Sequence, residues 1–455
     1  MGEREFDVVV IGMGPGGEHV AEQLAQAGLA VAGIEARLVG GECPYWGCVP
    51  SKMMIRAANL LAEGRRIPGM AGAATVRPDW APVATRIRDD ATDNWDDTVA
   101  AERFANAGGT LLRGHGTITG PTQVRVGDDV LTARRGIVIN CGTEPAIPPI
   151  PGLAGTPYWT NREAIETEQV PASMIVLGGG AIGAELGQAF ARFGASVTVV
   201  EAASQLLPME EPESGALLAA VFGREGIGVR TGAGAESVAH HGAMFSVRLG
   251  SGDVLTAGRL LVATGRRADL AALGIGALGL DETARTIAVD EYMRAASGVW
   301  AIGDVVGKGA FTHTSMYQAE IVIAGILGQP HHQAEDHAIP RVTFTDPEIG
   351  SVGLTEAQAR AALGDIQTAV SQLPSSSRGW IHKAGNDGFI KLVVDPGLGA
   401  LVGATSAGPA GGDVLSMLTL AVHARVPVQR LREMIYAYPT FHWAVLDALS
   451  RLGCR

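Results

Sequence analysis

Cys43 and Cys48, separated by four residues in GGECPYWGCVPSK (40–52), are the residues whose type and spacing most directly suggest chemistry. Two thiols this close can trade an electron pair as disulfide and dithiol, hold a soft metal, or staple the chain. Pro44 suits the first turn of a helix whose N-terminus lies at the cysteines, and a helix N-terminus favours the thiolate that disulfide exchange requires. A metal site needs further soft ligands, and within thirty residues the only other Cys or His is His19. In a reducing compartment a close pair is more often catalytic or metal-binding than structural. A redox pair is therefore the reading adopted, with a metal site and a structural disulfide as its alternatives. The remaining cysteines, Cys141 and Cys454, stand far apart. Cys141 follows a buried strand and is expected to pack in the core.

Two repeated units surround this chemistry. Residues 6–11 (FDVVVI) form a continuous apolar run, as in a strand buried on both faces. Gly12, Gly14 and Gly17 follow, then a helical stretch closed by Gly28, then a strand ending at Glu35. The same order returns at 174–201 with Gly178, Gly180, Gly183 and Glu201, and in both units the acid stands 18 residues after the third glycine. Strand, glycine turn, helix, strand and acid make a dinucleotide-binding unit. The first glycine permits the turn, the second admits the pyrophosphate, and the third lets the helix pack on the strand. The terminal carboxylate accepts hydrogen bonds from a ribose diol and repels a 2′-phosphate, so Glu201 favours NADH over NADPH. The plainer alternative is an acid that merely ends a strand in solvent.

The chain has 455 residues, enough for several domains. GIVINCGTEPAIPPIPG (136–152) and GRLLVATGRRADL (258–270) flank the second unit like crossings between a first domain and an inserted one. VWAIGDV (299–305) reads as a further buried strand ending in Asp304, and from about 335 the texture changes to short strands followed by helices. The expected organisation is a first domain over 1–148 resuming at 269–334, a second over 149–268, and a third over 335–455. The fold class is α/β: two Rossmann-like dinucleotide-binding domains and a C-terminal α+β domain. A net charge of -12 without any basic cluster argues against nucleic acid as a partner. Lys52, Lys308, Lys383 and Lys391 are the only lysines. The N-terminus shows no basic region, long apolar run or cleavage site, so a cytoplasmic protein without a membrane partner is expected.

Taken in order, GMGPGG, GGECPYWGCVPSK, NCGTEP, GGGAIGAELG, ATGRR, AIGDV and VTFTDPEIGSVGLTE cover essentially the whole chain. The sequence resembles the two-dinucleotide flavoprotein disulfide reductases, the family of dihydrolipoamide dehydrogenase, glutathione reductase and mercuric reductase. The resemblance implies FAD on Gly12, Gly14, Gly17, Glu35, Gly41, Gly116, Gly142, Thr143, Asp304, Ala310 and His313. It implies NAD(P)H on Gly178, Gly180, Gly183, Glu201 and Gly265. Cys43 becomes the interchange thiol and Cys48 the thiol against the flavin. Lys52 is placed beside the flavin and paired with Glu185, an arrangement that stabilises a reduced, anionic site. A homodimer completed through the third domain is also implied.

One stretch departs from that family. The lipoamide and glutathione enzymes carry a C-terminal HxHPTxxE-type segment whose histidine serves as base across the dimer. Here the segment is YAYPTFHWAVLDAL (436–449), with Tyr438 at the histidine and Trp443 at the acid. A phenol ordinarily ionises near about 10 and is a poor base at neutral pH. His442, oriented by Asp447, is the alternative base. The chain ends RLGCR, so Cys454 lacks the vicinal partner that mercuric reductases use, although it could take electrons from Cys43 of another subunit. Tyr45 and Trp46 are bulkier than the residues usual between such cysteines, and either line an acceptor site or pack inward. The expected activity is NADH-dependent reduction of a disulfide-type acceptor through FAD and Cys43–Cys48. The alternatives are a quinone or metal-ion reductase, a dihydrolipoamide dehydrogenase with an atypical base, and a dithiol oxidase or a binding protein without turnover.

Overall fold

Val8, Val9 and Val10 have no exposed surface, as required of a strand covered on both faces. Their strand, Glu3–Ile11, is central to a sheet whose five parallel strands run in the spatial order Val299–Ala301, Asp129–Ile139, Glu3–Ile11, Val31–Glu35, Thr110–Arg113. Because they are parallel, Ile11, Glu35, Arg113, Ile139 and Ala301 all end at one edge. The helix Pro15–Gln26 packs against the helix Thr312–Leu327. The computed structural model describes residues 2–453, and Cys454 lies outside them.

The chain divides into two compact units. The first, described above, comprises residues up to Pro50, Thr85–Ala146 and Gly265–Asp336. The second comprises Ser51–Ala84, Ile147–Thr264 and the chain from His337 onward. It holds a parallel sheet in the order Gly228–Thr231, Ser196–Glu201, Ser173–Leu177, Arg259–Val262, repeating the design of the first on a smaller scale. It also holds a five-stranded antiparallel sheet in the order Pro340–Thr343, Glu348–Gly353, Ala400–Gly408, Phe389–Asp395, Gln367–Gln372. The helices Gly411–His423 and Trp443–Ser450 bury Leu415, Leu418, Val445 and Leu449 in the same core as Ile390, Leu392 and Leu401 of that sheet. This is the expected α/β class with a C-terminal α+β portion. No helix among the described residues is long and apolar enough to cross a membrane.

Two local expectations are corrected. Asp304 does not end a strand: the strand stops at Ala301, and Asp304 lies in the 3-10 turn Gly303–Val306. Gly303 turns the chain with φ +76° and gives its N–H to Gln318 Oε1 at 2.7 Å. The cysteines do not share one helix either. Glu42–Tyr45 is a single turn and the long helix Cys48–Arg66 starts afresh. The break falls at Gly47, where an added Cβ would meet the Glu42 carbonyl oxygen at 3.0 Å.

Lys391, on a strand of the antiparallel sheet, is 3% exposed. Its Nζ lies 2.9 Å from Glu211, 2.7 Å from Glu213 and 3.0 Å from Glu356. Burial pulls its pKa down, but the three carboxylates more than compensate and hold it above the ordinary lysine value. Removing the cation leaves the three acids without their common partner. Lys391→Met is expected to cost about 3–5 kcal/mol in denaturant unfolding of the purified protein, and a loss below about 0.5 kcal/mol would show the cluster to be energetically idle.

Candidate active site

The carboxyl edge of the first sheet carries most of the residues singled out in the sequence. Gly12 follows Ile11 with φ +91°, and an added Cβ would reach 2.7 Å from Cys141 Cα. At Gly17 a Cβ would strike the Gly12 carbonyl oxygen and come within 2.7 Å of Asn140 Nδ2. Only glycine lets helix Pro15–Gln26 start this close to the strand ends, with its first N–H groups turned outward. Glu35 locks the turn by accepting from Met13 N and Arg37 N, both at 2.8 Å. Burial raises its pKa, and the N–H groups of Arg37 and Met13 pull it back. An ionised carboxylate keeps further lone pairs for a diol.

The second unit repeats the construction. Gly178 has φ +107°, and a Cβ on Gly183 would strike the Gly178 carbonyl oxygen. Glu201 accepts from Gly179 N at 2.7 Å and Ala203 N at 2.8 Å. Gly180 caps the helix Ala181–Arg192. Each glycine turn is thus held by the acid at the end of the next strand.

Around the first turn, Gly41 approaches Gly14 so closely that a Cβ would lie 2.8 Å from the Gly14 Cα. Thr143 donates to Asp304 at 2.8 Å. Gly142 has φ +65°, and Gly116 abuts Ile11 and Ile34 at the strand ends. Ala310 precedes the helix Thr312–Leu327, and His313 in its first turn stacks on Phe311 at 5.1 Å. The Cys48 Sγ lies 3.5 Å from Thr312 Oγ1, so two helices begin at this sulfur: its own and the one Thr312 opens.

In the second unit, Lys52 Nζ lies 2.9 Å from Glu185 Oε2 and over the ring of Phe344 at 4.7 Å. The other Glu185 oxygen accepts from Phe344 N at 2.8 Å, which fixes a carboxylate that is 6% exposed. Tyr438 is 64% exposed and meets Trp443 edge-on at 5.0 Å. His442 caps the last helix. No hydrogen bond joins His442 to Asp447, whose backbone oxygen accepts from Ser450 Oγ. Gly265 is exposed, and its carbonyl accepts from Ala146 N at 2.9 Å.

Cys141 is not the core residue expected: it is exposed, and desolvation by the protein around it pushes its thiol up to about 12. Tyr45 packs inward, 6% exposed, and burial raises its hydroxyl to about 12. Two residues escaped the sequence reading. Thr312 carried no motif signal of its own, although His313 beside it was singled out. Arg266, inside ATGRR, donates to Thr143 Oγ1 at 3.0 Å and stands 3.6 Å from Glu42; its charge within that motif was the available clue.

Two glycine turns of one design, each at the carboxyl edge of a parallel sheet, are the construction of enzymes that relay electrons between two dinucleotides. Comparison with known proteins narrows that class. Residues 6–319 match the pyridine nucleotide-disulphide oxidoreductase model and 339–449 its dimerisation domain, and the chain belongs to this family. It is 34% identical to a dihydrolipoyl dehydrogenase of Chlorobaculum tepidum, over 99% of this chain and 98% of that one. It is 33% identical to a mercuric reductase of Shewanella putrefaciens, over 95% of this chain and 78% of that one. Among solved structures, the HOCl-induced flavoprotein disulfide reductase RclA from Escherichia coli aligns with a TM-score of 0.84, 27% identity, and coverage of 98% and 99%. The protein is an oxidoreductase of the flavoprotein disulfide reductase kind, with FAD and NAD(P)H as cofactors. The dimerisation domain supports a homodimer.

The raised thiol of Cys141 makes a direct prediction. Despite its accessibility, iodoacetamide should label it slowly at pH 7–9, because the reactive thiolate forms only as pH approaches about 12. Labelling followed by peptide mass spectrometry checks this, and fast labelling at pH 7 would contradict it.

Proposed function

We propose that the enzyme carries an electron pair from NADH through FAD to a Cys43–Cys48 disulfide, and from the resulting dithiol to a disulfide-type acceptor. The carrying observation is the convergence of two helix N-termini on Cys48, with Cys43 in the turn before it. FAD, when bound, accepts a hydride from NADH and returns two electrons one pair at a time. The chain supplies the rest. The Gly12–Gly17 turn and Glu35 hold one dinucleotide; the Gly178–Gly183 turn and Glu201 hold the other. Glu201, already engaged by two N–H groups, would repel a 2′-phosphate, which favours NADH. Lys52, oriented by Glu185, places a cation one helical turn after Cys48.

The balance is NADH, a proton and the disulfide giving NAD⁺ and the dithiol. Cys43 then attacks an acceptor disulfide and releases one acceptor thiol, and Cys48 attacks the resulting mixed disulfide at the Cys43 sulfur, which releases the second thiol and re-forms the Cys43–Cys48 disulfide. Tyr438 stands where the family places a base and can donate a hydrogen bond or proton. We place this chemistry in the cytosol, where both thiols can be kept reduced.

A specific observation favours a second reading. Tyr438 rests on Trp443 rather than on an acid, so the site lacks the base expected for reversible work on a dithiol. A metal ion or quinone needs none. One relative is a mercuric reductase, and RclA was also solved as a Cu(II) complex.

Steady-state assays separate the readings. Cys43→Ser should abolish NADH-dependent disulfide reduction, a loss of at least ~10³-fold, while quinone reduction survives. A variant with full physiological turnover would contradict the thiol route. Flavin reduction should be faster with NADH than with NADPH, and a strong NADPH preference would overturn the role given to Glu201.

A further inference from the structure

Asp93, Asn94 and Trp95 are three consecutive non-glycine residues in the left-handed region, with φ of 47°, 56° and 57°. Such residues each carry about 1–3 kcal/mol of strain and persist only where the surroundings hold them. Here the surroundings do. Buried Thr92 donates to Arg88 O at 3.0 Å and accepts from Trp95 N at 3.3 Å, while Asn94 N donates to Arg88 O at 2.6 Å.

The turn projects two side chains onto the loop that bears Cys43. The Trp95 indole N–H donates to Tyr45 O at 3.3 Å, at the end of the Glu42–Tyr45 turn. Asp97, 8% exposed, accepts from Val39 N at 2.6 Å at the start of that loop. Arg113 fixes the Asp97 carboxylate with two bonds, at 2.6 and 2.8 Å, and donates also to Arg37 O at 2.9 Å. Val39 and Tyr45 bracket Cys43, so the loop is braced at both ends, once from the strained turn by Trp95 and once by Asp97 just after it.

We infer that Trp95 and Asp97 are positioning residues for Cys43, forming a clamp that fixes where its loop holds the thiol. This rests on the redox pair proposed above. A disulfide tolerates only a narrow range of Cβ separations and torsions, whereas two thiols have no such demand. The equilibrium between disulfide and dithiol therefore depends on where the loop is held, and loosening the loop shifts it. Trp95 and Asp97 act through the loop backbone and touch no reacting atom.

The test is equilibrium of the FAD-loaded enzyme with graded glutathione buffers, read by thiol trapping and mass spectrometry of the Cys43–Cys48 peptide. Trp95→Phe keeps an aromatic side chain and loses the indole N–H. It should shift the equilibrium between disulfide and dithiol by roughly fivefold, equivalent to about 20 mV, with FAD content unchanged. Asn94→Gly relieves a left-handed position and leaves the donor in place, so its equilibrium should stay within about twofold of the parent. A Trp95→Phe equilibrium equal to the parent's overturns the clamp, as does an Asn94→Gly shift as large. A parent protein whose two cysteines never interconvert overturns the redox pair itself, a result distinct from either of those.

Discussion

The architecture depends on a clearance: at Gly12 and Gly17, and again at Gly178 and Gly183, backbone must pass backbone with no room for a Cβ. That contact brings each helix N-terminus to the carboxyl edge of its parallel sheet. There, N–H groups and the positive end of the helix dipole face outward to phosphate. The acids follow from it. Glu35 and Glu201 stand at the ends of neighbouring strands and reach back to the N–H after the first glycine, so one carboxylate steadies the turn and faces the space beside it. Two binding sites of one design on one chain are what a relay between two dinucleotides needs.

The candidate redox site is built from helix ends and one half-buried ion pair. Cys48 begins a long helix, Thr312 begins another beside it, and Lys52 lies a turn further along the first. Lys52 is held by a carboxylate that is itself fixed by a backbone N–H. Cys141 shows how position separates the thiols. Like Cys48 it is exposed, but its surroundings disfavour its anion.

The fold class was legible because its signal is local and repeated: apolar run, glycines, helix and acid, twice, at equal spacing. The members of the glycine turns and their acids were legible for the same reason. What escaped were partners distant along the chain. Thr312 meets Cys48 across 264 positions, Arg266 meets Thr143 across 123, and Asp97 meets Val39 across 58. None has a periodic pattern to betray it. Misplaced elements have local causes too. Gly47 breaks the cysteine helix in two, and Gly303 ends the strand before Asp304. Cys141 looked like core because its strand is buried, but the strand ends at Ile139 and Cys141 is exposed.

The central claim is that Cys43 and Cys48 accept an electron pair that enters as NADH. Anaerobic differential alkylation of the FAD-loaded homodimer, before and after one equivalent of NADH, tests it most directly. The account predicts two new alkylated thiols per subunit, at Cys43 and Cys48, with Cys141 unchanged. Bleaching of the flavin by NADH with no change in the labelling of Cys43 and Cys48 would contradict it.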